Sequence, residues 1–158
     1  MRVLGIDPGY DRLGVAVMEK REGKETLLFS ECVETNRRDP FETRLLHIGQ
    51  ALRKTISSWS PTLLAIETLY MSKNQKTALP VASARGVILF IAAEENLMVR
   101  EYSPQAVKIA TTGYGNSTKT QVIRMIPRLI PFTNTKARDD EFDAIAVAIT
   151  ALATEKGV

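Results

Sequence analysis

In the first part of the chain the apolar positions fall into three short runs, Arg2–Ile6, Leu13–Met18 and Thr26–Thr35, parted by a turn at Gly9 and by the polar stretch REGKE. Runs of this length between turn residues predict an antiparallel meander of three strands. From Phe41 the pattern changes: Leu45, Ile48, Leu52, Ile56 and Trp59 recur at steps of three and four, the stripe of an amphipathic helix closed by SWSP. Trp59 belongs to that stripe and reads as a packing residue rather than a ligand platform. TLLAIE, Thr62 to Glu67, is nearly continuous in apolar residues, as expected of a strand buried on both faces in a parallel sheet. Helical patterns follow at about Lys76–Asn96, near Pro104–Ala110, at Ser117–Ile130 and at Asp139–Glu155, with one more strand near Met98–Tyr102. The order predicts an α/β fold with a mixed five-stranded sheet, three strands antiparallel and two parallel, flanked by helices. Repeats, low-complexity tracts and linkers are absent, so residues 1–158 read as a single domain.

Two of the predicted strands end in an acid, Asp7 and Glu67. In open α/β sheets ligands gather beyond the carboxyl ends of the strands; if the first and fourth strands are neighbours, both carboxylates face one crevice. The last helix opens RDDEFDAIAVAITAL. Asp140 and Asp143, three apart, project from one face of it, and the small apolar residues after them suit tight packing against the sheet. An acid in a first turn is also an ordinary helix cap or a partner for the helix dipole. Four carboxylates meeting in one crevice would repel one another unless protons or cations neutralise them. A set of Asp and Glu without His or thiolate favours Mg²⁺ or Mn²⁺ over zinc, and paired ions held by carboxylates are a recurrent device for phosphodiester hydrolysis.

Composition narrows the field. Cys32 is the only cysteine, which excludes an intramolecular disulfide or thiolate cluster and suggests a small buried strand residue; His47 is the only histidine, set on an amphipathic helix. The longest apolar stretch, Val87–Ala93, is too short to span a bilayer, and the N-terminus passes straight into a strand pattern without a signal peptide; we expect a soluble, cytoplasmic protein with no membrane partner. The net charge of +3 is unevenly spread: Thr68 to Arg138 holds ten Lys or Arg against three Glu, and the remainder is net acidic. That distribution fits a polyanion partner beside an acidic site, or else a solvated basic face. GYGNSTK offers backbone N–H groups and a helix start at Ser117 or Thr118, which suits either a phosphate contact or a plain capped loop.

In order and spacing, VLGIDPG, AIETLYMSKN, ARG, SPQAVKIATTGYGNSTKTQV and DDEFDAIAVAIT resemble the successive motifs of the RuvC family of Holliday junction resolvases, across essentially the whole chain. The resemblance implies a ribonuclease H-like fold, a homodimer, and a Mg²⁺-dependent endonuclease acting on four-way DNA junctions. It implies two ions per site, with Mn²⁺ as a substitute, and association with the RuvA–RuvB branch-migration complex. Asp7, Glu67, Asp140 and Asp143 fall on the family's four acidic positions, the implied catalytic and metal-binding residues. Tyr70 matches a position usually held by phenylalanine near the junction centre, and Lys108 and Lys119 match basic residues that assist DNA binding and catalysis. Tyr70, Met71 and Lys73 cluster just past Glu67, and Lys73 and Lys76 complete the candidate DNA contacts. Departures are the stretch YDRLGVAV after the DPG turn, where the family often has a small residue and a TGYG-like run, and Asp139, which competes with Asp140. The three-residue step to Asp143 favours Asp140.

Ala78, Ala82, Ala84 and Gly86 make their helix a candidate dimer surface, or one that packs closely on the sheet. Three rivals stay open at the level of sequence. GIDPGYDRLG also resembles the phosphate loop of actin-like and sugar kinases, although those need a second lobe. The acids could serve a junction-binding protein without chemistry, and another ribonuclease H-like nuclease would share the acidic set.

Overall fold

The computed structural model describes residues 1–69, 75–132, 134 and 136–155. The elements follow the sequence pattern: β1 (Arg2–Asp7), β2 (Arg12–Arg21), β3 (Lys24–Glu34), α1 (Phe41–Trp59), β4 (Leu63–Glu67), α2 (Gln75–Glu94), β5 (Met98–Tyr102), α3 (Pro104–Thr112), α4 (Lys119–Leu129) and α5 (Asp139–Thr154). The sheet order is β3-β2-β1-β4-β5. β1, β2 and β3 pair antiparallel, whereas β4 runs parallel to β1 and β5 parallel to β4. β2 and β3 extend further toward their shared turn than the apolar pattern suggests. Glu22 and Gly23 both take positive φ there, 53° and 78°, the two-residue hairpin geometry that continues strand twist into a tight turn.

Alternation along the strands divides the core in two. Leu4, Ile6, Val15, Val17, Leu64 and Ile66 face α1 and α2, where Ile48, Leu52, Ile56, Ala84, Ile88 and Ile91 cover them. Val3, Ala16, Met18, Leu63 and Ala65 face α5, with Val107 of α3 and Val122 and Ile126 of α4 at the flank. Trp59 is a packing residue, stacked on Phe29 with centroids 5.8 Å apart, and His47 is exposed on α1. The small residues of α2 are shared: Ala84 is buried against the sheet, while Ala82 and Gly86 face outward.

The α5 face of the sheet is floored with small residues because the helix lies directly on the strands. A Cβ placed at Gly5 would collide with the carbonyl oxygen of Ala144 and stand 2.8 Å from the Ala148 Cβ; one at Gly14 would collide with the carbonyl oxygen of Asp140. Gly14 is paired with Asp7 across the β1–β2 ladder, so the contact that brings α5 onto the sheet also fixes the distance from its first turn to Asp7. Core glycines with no room for a methyl resist enlargement at a cost of about 1–3 kcal/mol. Gly5→Ala is expected to lower the urea-unfolding free energy by about that amount, and Gly14→Ala to do so while shifting the first turn of α5; native stability in both variants would contradict the packing described.

Candidate active site

Asp7 and Glu67 are brought together by parallel pairing. The β1–β4 register runs Val3↔Leu63 to Ile6↔Ile66, so the next residue of each strand ends it with a carboxylate on the α5 side. Arg85, buried in α2, donates to the Glu67 carbonyl at 2.9 Å and pairs with Glu101 at 2.7 Å, tying the end of β4 to β5. The chain after Asp7 is held as firmly. Buried Arg44 of α1 donates to the Tyr10 carbonyl and to Thr35 Oγ1, both at 3.0 Å, pairs with Asp11 and stacks its guanidinium 4.9 Å from the Tyr10 ring centroid. The YDRLG segment is therefore a clamp that fixes the strand end bearing Asp7.

α5 supplies the other two acids, and neither is a cap. The N-cap position is Arg138, which makes no side-chain capping bond. The first turn is anchored to β3 instead: Ser30 donates to buried Glu141 at 2.6 Å, Glu34 pairs with Arg138 at 2.5 Å, and the Cys32 thiol points at Asp140 Oδ2 from 3.9 Å. Cys32 is thus half-buried beside Asp140 rather than buried in the core, because its ladder partner is Gly14, over which the first turn of α5 lies. Burial, then the charge of Asp140, push the thiol up to about 11, which keeps it a protonated donor near neutrality.

Asp7, Glu67 and Asp143 line a crevice of about 250 Å³ with Lys108, Lys119, Pro104, Val107, Val122 and Ala146. Asp140 is not among its lining residues and pairs with Arg12 instead. A larger hollow of about 660 Å³, between β3 and α1, contains none of the four acids; charge rather than size marks the site. Burial first, then Asp143, Asp140 and Glu67, push Asp7 up from its ordinary 3.8 to about 7, against a partial pull from Lys119. Burial and Asp143 raise Glu67, and burial raises Asp143 in spite of its hydrogen bond from Lys119. Lys119 opens α4 behind a capping box of Thr118 and Gln121, and its ammonium sits 2.6 Å from Asp143 and 3.8 Å from Asp139. Burial would lower its pKa; Asp143, Asp139 and Asp7 raise it, and it stays charged. Asp139 is mostly exposed.

The crevice therefore carries more negative charge than its own lysines neutralise, with oxygen donors throughout, and this donor set fits a hard divalent cation. Among the described residues no three acid, histidine or cysteine side chains yet stand at caging distance. Asp143 is paired with Lys119 at 2.6 Å and Asp140 with Arg12 at 3.2 Å. Of the predicted DNA contacts, Lys108 and Lys119 lie at the crevice. Tyr70 and Lys73, together with Met71, lie outside the described residues, as does the side chain of Lys76. The roles of Arg12, Arg44 and Glu141 escaped sequence reading, and Arg85 entered it only within the ARG motif; at Arg44 and Arg85 the hint was a charged residue inside an otherwise apolar helix face.

A mixed sheet of this order, three strands antiparallel and two parallel, with helices on both faces, is a ribonuclease H-like fold. The family model described as crossover junction endodeoxyribonuclease RuvC matches residues 3–151. The chain is 41% identical over 148 residues to the crossover junction endodeoxyribonuclease RuvC of Petrotoga mobilis, covering 94% of this chain and 91% of that protein. It is 39% identical over 156 residues to that of Rickettsia typhi, covering 99% of each. The structure of Thermus thermophilus RuvC in complex with Holliday junction substrate superimposes with a TM-score of 0.89 at 29% identity, covering 96% of this chain and 93% of that one. The chain belongs to the RuvC family of crossover junction endodeoxyribonucleases, hydrolases acting on DNA. Family membership answers the phosphotransferase reading, and the described residues form one sheet with no second lobe.

The acid cluster has a consequence for stability. Between about pH 4 and pH 7 the folded protein keeps a proton on Asp7 that the unfolded chain has released, so unfolding is favoured as pH rises. In EDTA, stability measured by urea titration is expected to fall across that window by at most about 4 kcal/mol, the value of a three-unit shift. Asp7→Asn should flatten the profile; an unchanged pH dependence in that variant would contradict the assignment.

Proposed function

We propose that the protein resolves four-way DNA junctions in homologous recombination and repair by paired, symmetric phosphodiester hydrolysis, leaving 5′-phosphate and 3′-hydroxyl ends. The observation that carries the reading is the buried, like-charged cluster at the strand ends beside two lysines, in a chain of the RuvC family. Asp7, Glu67, Asp140 and Asp143 would hold two Mg²⁺ ions, with Mn²⁺ as a substitute. Bound there, the ions supply water activation and charge stabilisation for hydrolysis. Lys119 and Lys108, which line the crevice beside the acids, would steady the scissile phosphate. The clamp around Arg44 and the Arg85 strap keep Asp7 and Glu67 in place so that little reorganisation is left for the reaction. Tyr70 serves as a stacking surface at the junction centre, and Lys73 and Lys76 as backbone contacts.

A homodimer fits a substrate with approximate two-fold symmetry. Its surface is the outward side of α2, where Leu79 and Phe90 stand 73% and 64% exposed and continue toward exposed Leu46 of α1. Association with the RuvA–RuvB complex and a cytoplasmic location belong to the same reading; among the described residues no helix is long and apolar enough to cross a membrane.

With a synthetic four-way junction and a matched linear duplex, the protein is expected to nick the junction symmetrically in Mg²⁺ and to nick nothing in EDTA. Asp7→Asn should lower cleavage by at least about a hundredfold while junction affinity, which rests on phosphate contacts, stays near native. Binding lost together with cleavage, or cleavage surviving in Asp7→Asn, would overturn the assignment. Phe90→Glu should convert a dimer into a monomer in analytical ultracentrifugation; an unaltered dimer would place the interface elsewhere.

A further inference from the structure

Asp140 differs from the other three acids. It stands outside the crevice lining, and its cationic partner comes from the strand side: Arg12 Nε lies 3.2 Å from its Oδ2, whereas Lys119 approaches Asp143 from α4. Arg12 opens β2 two residues before Gly14, the position on which the first turn of α5 rests. Its cross-strand neighbour Glu34 is already paired with Arg138, and Asp140 is the one ion-pair partner of Arg12 among the described residues. The Arg12 side chain is 48% exposed while that of Asp140 is 19% exposed, so part of the guanidinium is open to solvent at the edge of the acid cluster.

A guanidinium binds carboxylate and phosphate oxygens with the same planar fork, so exchange of one for the other costs little geometry. We propose that Arg12 is a place-holding counter-ion. It neutralises Asp140 while the acids hold no divalent cation, gives Asp140 up when one binds, and then takes a phosphate of the DNA lying beside the site. Because the ion pair competes with a metal for Asp140, it lowers metal affinity in the absence of DNA. Because a phosphate competes with Asp140 for Arg12, DNA and metal each raise the affinity for the other, by reciprocity. This rests on the reading of Asp140 as a metal ligand.

The test is calorimetric titration of Mn²⁺ into the DNA-free protein and into Arg12→Gln, Arg12→Lys and Asp7→Asn. Arg12→Gln is expected to bind Mn²⁺ about two- to fivefold more tightly, the scale of one partly exposed ion pair, with Arg12→Lys near native; unchanged or weaker binding in Arg12→Gln overturns the proposal. If Asp7→Asn titrates like the native protein, the metal-site reading itself has failed, a result distinct from an inert Arg12. The phosphate half is read from junction binding by fluorescence anisotropy in EDTA. Arg12→Gln should weaken binding more in an Asp140→Asn background, where Arg12 is free, than in the native one. Equal effects in both backgrounds overturn the exchange.

Discussion

The arrangement depends on one close contact, the backbone of α5 laid against Gly5 and Gly14. A helix separated from a sheet by ordinary side chains stands about 10 Å away; here missing side chains on the strands and alanines on the helix let main chain meet main chain. The small residues serve less to stabilise the core, which Val, Ile and Leu fill on both faces, than to set a distance. Asp7 is the ladder partner of Gly14, so the same contact that seats the helix brings its acidic turn to the strand end.

That proximity is unfavourable by itself. It is tolerated because the fold pins each participant independently: Arg44 holds the segment after Asp7, Arg85 holds the end of β4, and Ser30 and Glu34 of β3 hold the start of α5. Burial first, then the charges of Asp143, Asp140 and Glu67, raise the pKa of Asp7, and Lys119 offsets only part of that rise. An acid-rich, under-neutralised crevice suits a cation by the logic that makes a lone buried carboxylate costly.

Much of this was legible in the sequence. Apolar runs between turn residues located the strands, and the three- and four-residue spacing from Leu45 to Trp59 located α1. The apolar run between helices marked β4 as a parallel strand, and its pairing with β1, which joins Asp7 to Glu67, came from the structure. The three-residue step from Asp140 to Asp143 places both on one face. The clamps were not legible, because Arg44 meets Tyr10 and Arg12 meets Asp140 across separations that periodicity does not encode. The role of Gly5 and Gly14 was not legible for the same reason, since it appears only when α5 is docked. Cys32 departed from a core position because its ladder partner is the glycine under α5.

We propose that docking α5 on the β1–β2 glycines assembles a divalent-cation site from Asp7, Glu67, Asp140 and Asp143. It is tested most directly by anomalous diffraction at the manganese edge from crystals of the protein with junction DNA and Mn²⁺. The expected result is manganese peaks between the ends of β1 and β4 and the first turn of α5, with Lys119 and Arg12 turned from their carboxylates toward phosphate. Ordered junction DNA across that crevice with manganese bound elsewhere, or with both ion pairs intact, would contradict it.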